Sequence, residues 1–239
     1  MAKVLTVLLC FILQASGVAD DWVEAEAAYA TGHYEEATRL YEMIHASGFR
    51  PAALYYNYAN SLFQQGHVHE SIAAYRNAQY LAPRDLDILT NLRYAVETAG
   101  GTLPTAPLIE RAGTLLSHAE WIRLGWVCYG LCLLLFFMIL LFPFTRKRAS
   151  IGIIISSMGL LFCVAGSQIQ SQIVDKNEYV TQAECSIHFA PLDSADVQFH
   201  LPKTTLIRGT GRVHNEWIEV VHENRRGWIS RNPLIPLFP

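Results

Sequence analysis

The first shortage in this chain of 239 residues is charge. Asp, Glu, Lys and Arg together make up 16% of the sequence, against about 25% in a typical soluble protein. The formal net charge is −3, so the chain has none of the basic excess that binds nucleic acid. We therefore expect no nucleic-acid partner, and we expect part of the chain to lie in an apolar environment.

Cysteine is scarce where it could form disulfides. Four of the five cysteines lie in apolar segments: Cys10, Cys128, Cys132 and Cys163. Only Cys185 is expected to be exposed to water, so no disulfide framework is predicted. Cys185 and His188 are three residues apart on a predicted strand and would point to opposite faces, which argues against a nucleophile and its base.

The sequence also lacks a metal site or a catalytic set. His67 and His69 lie in a predicted turn, with no carboxylate or cysteine at ligand spacing. We expect a solvated turn there, no cofactor, no metal and no catalytic residue. The chain is therefore predicted not to be an enzyme.

The N-terminus has the pattern of an export signal. Lys3 precedes an apolar stretch from Val4 to Leu13, and small residues follow. Residues 1–19 are predicted to be a signal peptide cut after Gly17 or Ala19. An uncleaved anchor helix is the alternative.

Two long uncharged runs, from Leu124 to Phe142 and from Ala149 to Val174, predict a membrane hairpin. The spans are placed at 121–142 and 151–174, joined by a basic loop at 143–150. Arg146, Lys147 and Arg148 crowd that loop, and the positive-inside rule puts it in the cytoplasm. Both soluble parts are then expected to face the other side.

The second span carries small residues on one helical stripe. Their spacings are four, three, four and three: Gly152, Ser156, Gly159, Cys163 and Gly166. Small residues let helices approach closely in a membrane, so this stripe predicts helix packing. The partner is either the first span, which offers Gly125, Cys128 and Cys132, or a helix of a second protein.

Residues 31–41, TGHYEEATRLY, match residues 65–75, QGHVHESIAAY, at a period of 34. Together with Pro83 after the second match, this pattern resembles the tetratricopeptide (TPR) repeat, a helix–turn–helix unit that binds proteins. About two and a half repeats are predicted within 20–98, followed by a linker and amphipathic helix at 99–120. The residues expected to face the protein-binding groove are Tyr56, Asn57, Asn60, Phe63 and Asn91.

Residues 179–239 alternate short apolar and polar segments with turn residues, which predicts an all-β unit. The strand motifs Trp217–Val220 and Gly227-Trp228-Ile229 resemble those of bacterial SH3 (SH3b) domains. The segment from His200 to Pro202 reads as an insert relative to that pattern. Trp217 and Trp228 are candidate ligand contacts, with core packing as the alternative.

The predicted architecture is a multidomain membrane protein: an all-α TPR solenoid, two transmembrane helices and a small all-β SH3-like barrel. This order resembles BatE-type proteins of the bacterial aerotolerance (Bat) operon. The resemblance implies an inner-membrane scaffold that faces the periplasm in a stress-tolerance or envelope-assembly system. The implied partners are Bat proteins with von Willebrand-type domains and a MoxR-type ATPase. The alternative function is a sensor that binds peptidoglycan through the SH3-like domain.

Overall fold

The computed structural model describes residues 17–101, 115–142, 146–174, 178–223 and 225–237. These ranges form seven helices and a sheet of seven strands, which confirms a helical part, two long apolar helices and a C-terminal β domain. The chain divides into two compact units. One contains most of the N-terminal helical part and the sheet, and the other contains residues 80–84 and the two apolar helices. Most of the predicted leader and linker, and the start of the basic loop, lie outside the described residues.

Five helices precede the apolar pair. Their bounds are residues 17–30 (α1), Tyr34–Ala46 (α2), Ala52–Gln64 (α3), Val68–Leu81 (α4) and Leu86–Thr98 (α5). The apolar faces of α1, α2 and α3 form a core that includes Ala25, Ala37, Tyr41 and Leu54.

Three of these helices end in the same turn, 34 residues apart. Gly32, Gly66 and Gly100 follow α1, α3 and α5, with φ of 83°, 82° and 75°, a region that glycine adopts without steric cost. After each glycine, an N–H bonds to the carbonyl five residues earlier, as in a Schellman turn. These pairs are His33 to Ala28, His67 to Leu62 and Gly101 to Val96.

The turn at Gly100 continues the 34-residue period seen at Gly32 and Gly66. The predicted linker included this glycine because the GGTLPTAP stretch has a loop-like composition. In the structure Gly100 and Gly101 instead close α5, so three turns of one kind follow one another along the chain.

Side-chain contacts repeat at the same period. Trp22 packs against Tyr41 with ring centroids 6.0 Å apart, and Tyr56 packs against Tyr75, also at 6.0 Å. Each residue of the second pair follows its counterpart in the first by 34 positions. The repeat therefore holds for packing as well as for sequence.

The sheet is antiparallel, with strand order β3-β2-β6-β5-β4-β1-β7. The strands are Glu178–Thr181 (β1), Cys185–His188 (β2), Val197–Leu201 (β3), Leu206–His214 (β4), Trp217–His222 (β5), Arg225–Ser230 (β6) and Leu234–Pro236 (β7). One face forms a core that includes Ile187, Ile218 and Ile229.

Two expectations about the sheet are corrected. Cys185 is only 6% exposed and belongs to the core, because the alternation of strand β2 points it inward together with Ile187. His200 and Leu201 are not an insert but the end of β3, where Leu201 pairs in register with Cys185.

The sheet packs directly on helix α4. Glu178 of β1 is 4% exposed and accepts hydrogen bonds from Arg76 of α4 at 3.3 Å and from Arg208 of β4 at 3.1 Å. Asn77 of α4 donates from Nδ2 to the carbonyl of Leu237 just after β7. The helices and the sheet are thus joined by buried polar contacts, not by a free tether.

Thr204, in the loop between β3 and β4, is a second joining point. It is 2% exposed and has φ of 62°, which is rare for a β-branched residue. Its hydroxyl donates to the carbonyl of Ala99 at 3.3 Å and lies 3.2 Å from His69 Nε2. A Cβ on Gly101 would come within 2.7 Å of the Thr204 side chain, so only glycine fits there.

The second unit consists of helices α6 (His118–Leu141) and α7 (Arg146–Val174). Helix α6 and the Ala149–Ile169 part of α7 are long and apolar enough to cross a membrane. Ser117 and Glu120 form a capping box at the start of α6. Large apolar side chains on both helices are exposed in the protein alone, as Phe137 and Ile154 show.

The two apolar helices pack along the small-residue stripe. The contacts run in antiparallel order: Gly152 with Leu135, Ser156 with Cys132, Gly159 with Cys128, Cys163 with Gly125, and Gly166 with Trp121. A Cβ on Gly166 would lie 2.6 Å from the Trp121 ring, which is 3% exposed. We call this row of contacts the seam.

Candidate protein-binding site

The groove of the helical repeats is lined by side chains from α1, α3, α4 and α5 and has a volume of about 260 Å³. The described lining is Tyr29, Tyr56, Asn60, Phe63, Gln64, Tyr75, Asn91 and Tyr94. Four of the five groove residues predicted from the sequence are among them, and Asn57 is not.

A hydrogen-bond network fixes the two asparagines at the centre of the groove. Asn91 Nδ2 donates to the Tyr56 hydroxyl at 3.0 Å and to Asn60 Oδ1 at 3.2 Å. The Tyr75 hydroxyl also donates to Asn60 Oδ1, at 2.5 Å. These bonds connect α3, α4 and α5, so the groove is held in one shape before any partner arrives.

An aromatic pair forms one wall of the groove. Phe63 and Tyr94 have ring centroids 5.5 Å apart, and Tyr94 is 61% exposed. Exposed aromatic side chains next to a preformed polar network are typical of the few residues that dominate binding energy at interfaces.

The described lining contains no charged side chain. Burial is the main cause that raises the pKa of Tyr75 and of Tyr29, with neighbouring tyrosines adding to both shifts. The hydroxyls therefore stay protonated at any physiological pH. The groove offers neutral donors, neutral acceptors and aromatic faces, which suit a polar, uncharged stretch of polypeptide.

Asn57 does not line the groove; its amide lies beside the Tyr41 hydroxyl and acts to lower the Tyr41 pKa, but burial outweighs it. Burial raises the pKa of Tyr41 to about 12. Asn91 lies beside the Tyr75 hydroxyl in the same way, 34 residues further along, and acts to lower the Tyr75 pKa. The two asparagines are equivalent by sequence, but only the second also reaches the groove.

The sequence prediction of the groove missed four residues: Tyr29, Gln64, Tyr75 and Tyr94. The 34-residue period could have identified Tyr29, because it precedes Phe63 by one period. The same period could have identified Tyr94, because it follows Asn60 by 34 residues.

The sheet holds the other two candidate residues, Trp217 and Trp228. Both are half-buried, and Trp228 pairs in register with His188 and with Glu219. Trp217 packs edge-on against His188 with centroids 5.1 Å apart. These side chains lie on the face of the sheet opposite to the Ile187 core.

Within the described ranges, no group of three or more His, Cys, Asp and Glu side chains could hold a metal. His69 instead contacts Thr204, and burial lowers its pKa. Cys185 and His188 point to opposite faces of the sheet, and the His188 Nδ1 donates to the carbonyl of Ala195 at 2.8 Å.

No protein-family model matches this chain, and no curated protein matches it significantly.

Proposed function

We propose that this protein is a non-enzymatic scaffold of the bacterial inner membrane whose groove binds partner envelope proteins. In this proposal the helices are tetratricopeptide repeats and the sheet is an SH3-like barrel. The main support for this proposal is the groove, because its asparagines and tyrosines are preorganised and uncharged. The network leaves Asn60 Nδ2 and Asn91 Oδ1 for a ligand, and together these can bond a C=O and an N–H of an extended peptide.

The resemblance to BatE-type proteins supplies the proposed setting, an aerotolerance or envelope-assembly system. The proposed partners are Bat proteins with von Willebrand-type domains and, through them, a MoxR-type ATPase. The turns at Gly32, Gly66 and Gly100 support the tetratricopeptide assignment, because the same turn recurs at the 34-residue period typical of that repeat.

The contacts between sheet and helices support the proposed topology. Residues 17–79, 85–101 and 178–237 belong to one compact unit, which supports placing them on the same side of a membrane. The segment between them then crosses an even number of times, in agreement with two spans. The basic loop orients that hairpin with both soluble parts in the periplasm.

Alkaline-phosphatase fusions test this orientation. Fusions after Gly100 and after Pro239 should be active, because the enzyme needs an oxidising compartment, and a fusion after Arg148 should be inactive. High activity of the Arg148 fusion would overturn the proposed orientation.

The groove is tested by the double substitution Phe63→Ala with Tyr94→Ala. This pair forms the exposed wall and makes no part of the Asn60–Asn91 network, so helical content should stay normal. The loss of two aromatic anchors, at about 2 kcal/mol each, should weaken partner binding by about a hundredfold or more. The measurement is co-purification from solubilised membranes, quantified by mass spectrometry.

The matched control for the groove is Leu86→Ala, at an apolar residue on α5 that is 75% exposed and outside the groove. It should retain every partner. Retention of all partners by the double variant as well would contradict the groove proposal and transfer the interaction to the sheet or the spans.

Peptidoglycan binding is the second candidate function. The face of the sheet with Trp217, Trp228 and His188 is half-exposed, and Phe189 beside it is 66% exposed. Full-length protein in detergent should then sediment with purified sacculi, and Trp217→Ala should reduce the sedimented fraction. No sedimentation of the parent protein would remove this candidate.

A further inference from the structure

A second cavity lies on another face of the repeats, away from the groove. It is lined by α2, α3, α4 and the end of the chain at β7, and its volume is about 420 Å³. Much of its wall is apolar, as Leu62, Ala73 and Ala74 illustrate. Its size is that of cavities that bind small molecules or single side chains.

The polar groups that line this cavity are mostly acceptors. Glu42 and Glu70 both contribute to it. The Tyr58 hydroxyl is committed to Glu42 Oε1 at 3.0 Å, and Gln182 donates to only one oxygen of Glu70, at 3.4 Å. Each carboxylate therefore keeps lone pairs for a further donor.

A buried amide oxygen adds to this excess of acceptors. Asn77 is 2% exposed and lines the cavity. Its Nδ2 donates to the Leu237 carbonyl, whereas its Oδ1 has no hydrogen-bond partner among the described residues. A buried acceptor without a donor is unfavourable, so a donor on a ligand would gain from reaching it.

The charged side chains that line the cavity among the described residues are both negative, Glu42 and Glu70. The described lining includes no Lys or Arg. The basic residue of the lining is His45. Burial is the main cause that lowers the pKa of His45, and nearby Arg50 lowers it further. His45 is therefore neutral near pH 7. Two carboxylates beside apolar walls thus face the cavity without a cation of their own.

We propose that this cavity binds a primary ammonium group carried on a short apolar chain. The ammonium supplies three donors and a positive charge, which match the two carboxylates and, once the buried Asn77 side chain shifts toward the cavity, its unpaired Oδ1, while the chain fills the apolar part. The same chemistry has two sources, a free alkylamine or the lysine side chain of a partner protein. The site is distinct from the proposed peptide groove.

The test uses the full chain in lipid nanodiscs with ¹³C-labelled alanine methyl groups. The probes are n-pentylamine, its neutral analogue pentanol, and N-acetyl-lysine methylamide. The methyl signals of Ala73 and Ala74 should shift with an ammonium probe, whereas those of Ala25 and Ala95, which do not line the cavity, should stay in place. Binding of the lysine derivative would identify a partner's lysine as the source, and binding of pentylamine alone a free amine.

Glu70→Gln keeps the shape of the side chain and removes its charge, so it should weaken ammonium binding at least about tenfold. Glu97→Gln, at an exposed site on α5, is the matched control and should leave the affinity unchanged. Ala74→Leu should abolish binding by filling the cavity. The proposal is overturned if neither amine shifts Ala73 and Ala74, if pentanol binds as tightly as pentylamine, or if Glu70→Gln has no effect.

Discussion

At the scale of single residues, Thr204 and His69 show how the sheet is attached to the repeats. Thr204 adopts a backbone conformation that is unfavourable for threonine, and its hydroxyl contacts both Ala99 and His69. Strained residues persist only where the surrounding structure holds them. The contact with His69 therefore reports on whether the helices and the sheet are joined.

His69 should make the attachment sensitive to acid. Burial, and Lys203 nearby, lower the pKa of His69 below its ordinary 6.5, while Glu70 acts in the opposite direction. The folded protein then binds fewer protons here than the unfolded chain, so the free energy of unfolding falls as the pH drops below about 6.5. Thermal midpoints measured between about pH 7.5 and pH 5.5 should decrease.

His69→Gln should flatten this pH dependence, because glutamine does not titrate in that range. His67→Gln is the matched control, since His67 is exposed and should leave the slope as in the parent. An unchanged slope for His69→Gln would show that other groups, such as His45, dominate the acid sensitivity.

At the scale of elements, the small residues of α7 determine where the two apolar helices meet. The seam that they form also accounts for the position of Trp121 on α6. The stripe of small residues was visible as a pattern, and so were Gly125, Cys128 and Cys132 opposite to it. The role of Trp121 was not, because a tryptophan at the end of a span usually marks the membrane interface. It is instead buried against Gly166, where the missing side chain leaves room for the ring.

Gly159→Leu should open the seam. A Cβ at this position already lies 3.2 Å from Cys128 Sγ, so a branched side chain must push the helices apart. The readout is oxidative crosslinking in a Ser156→Cys background, because residue 156 faces native Cys132, with Ser156 Oγ 2.9 Å from its Sγ. The disulfide yield should fall severalfold.

Gly130→Leu serves as the comparison, since a Cβ on Gly130 meets nothing within 4 Å. It should leave the crosslink intact. Equal yields in both variants would mean that the seam tolerates a large side chain and is not the surface that holds the hairpin together.

At the scale of the whole molecule, the sequence predicted the parts better than their assembly. The 34-residue period and the uncharged runs are local patterns, so the repeat helices, their turns and the two long apolar helices could be read from them. The contact of Glu178 with Arg76 joins residues 102 positions apart and has no periodic signal. The same is true of Asn77 and Leu237, which is why the helices and the sheet were predicted as separate domains.

Glu178→Gln should therefore destabilise both the helices and the sheet. It removes the buried charge shared by Arg76 and Arg208, and the loss of one partner of a buried ion pair costs about 3 kcal/mol. Hydrogen–deuterium exchange should show faster exchange in α4 as well as in β1 and β4. Glu97→Gln should change neither. Faster exchange in the strands alone would show that the repeats fold independently of the sheet.

The turn at Gly100–Gly101 has a consequence for how this protein can evolve. Repeat proteins commonly change length by duplication, because each unit contacts only its neighbours. Here Thr204 covers the third turn, while Glu178 and Leu237 hold α4, the helix that precedes α5. The sheet contacts both α4 and the third turn. An added 34-residue unit between them would move these two contact points apart. The number of repeats is therefore fixed by a domain encoded more than a hundred residues downstream, and selection on one part constrains the copy number of the other.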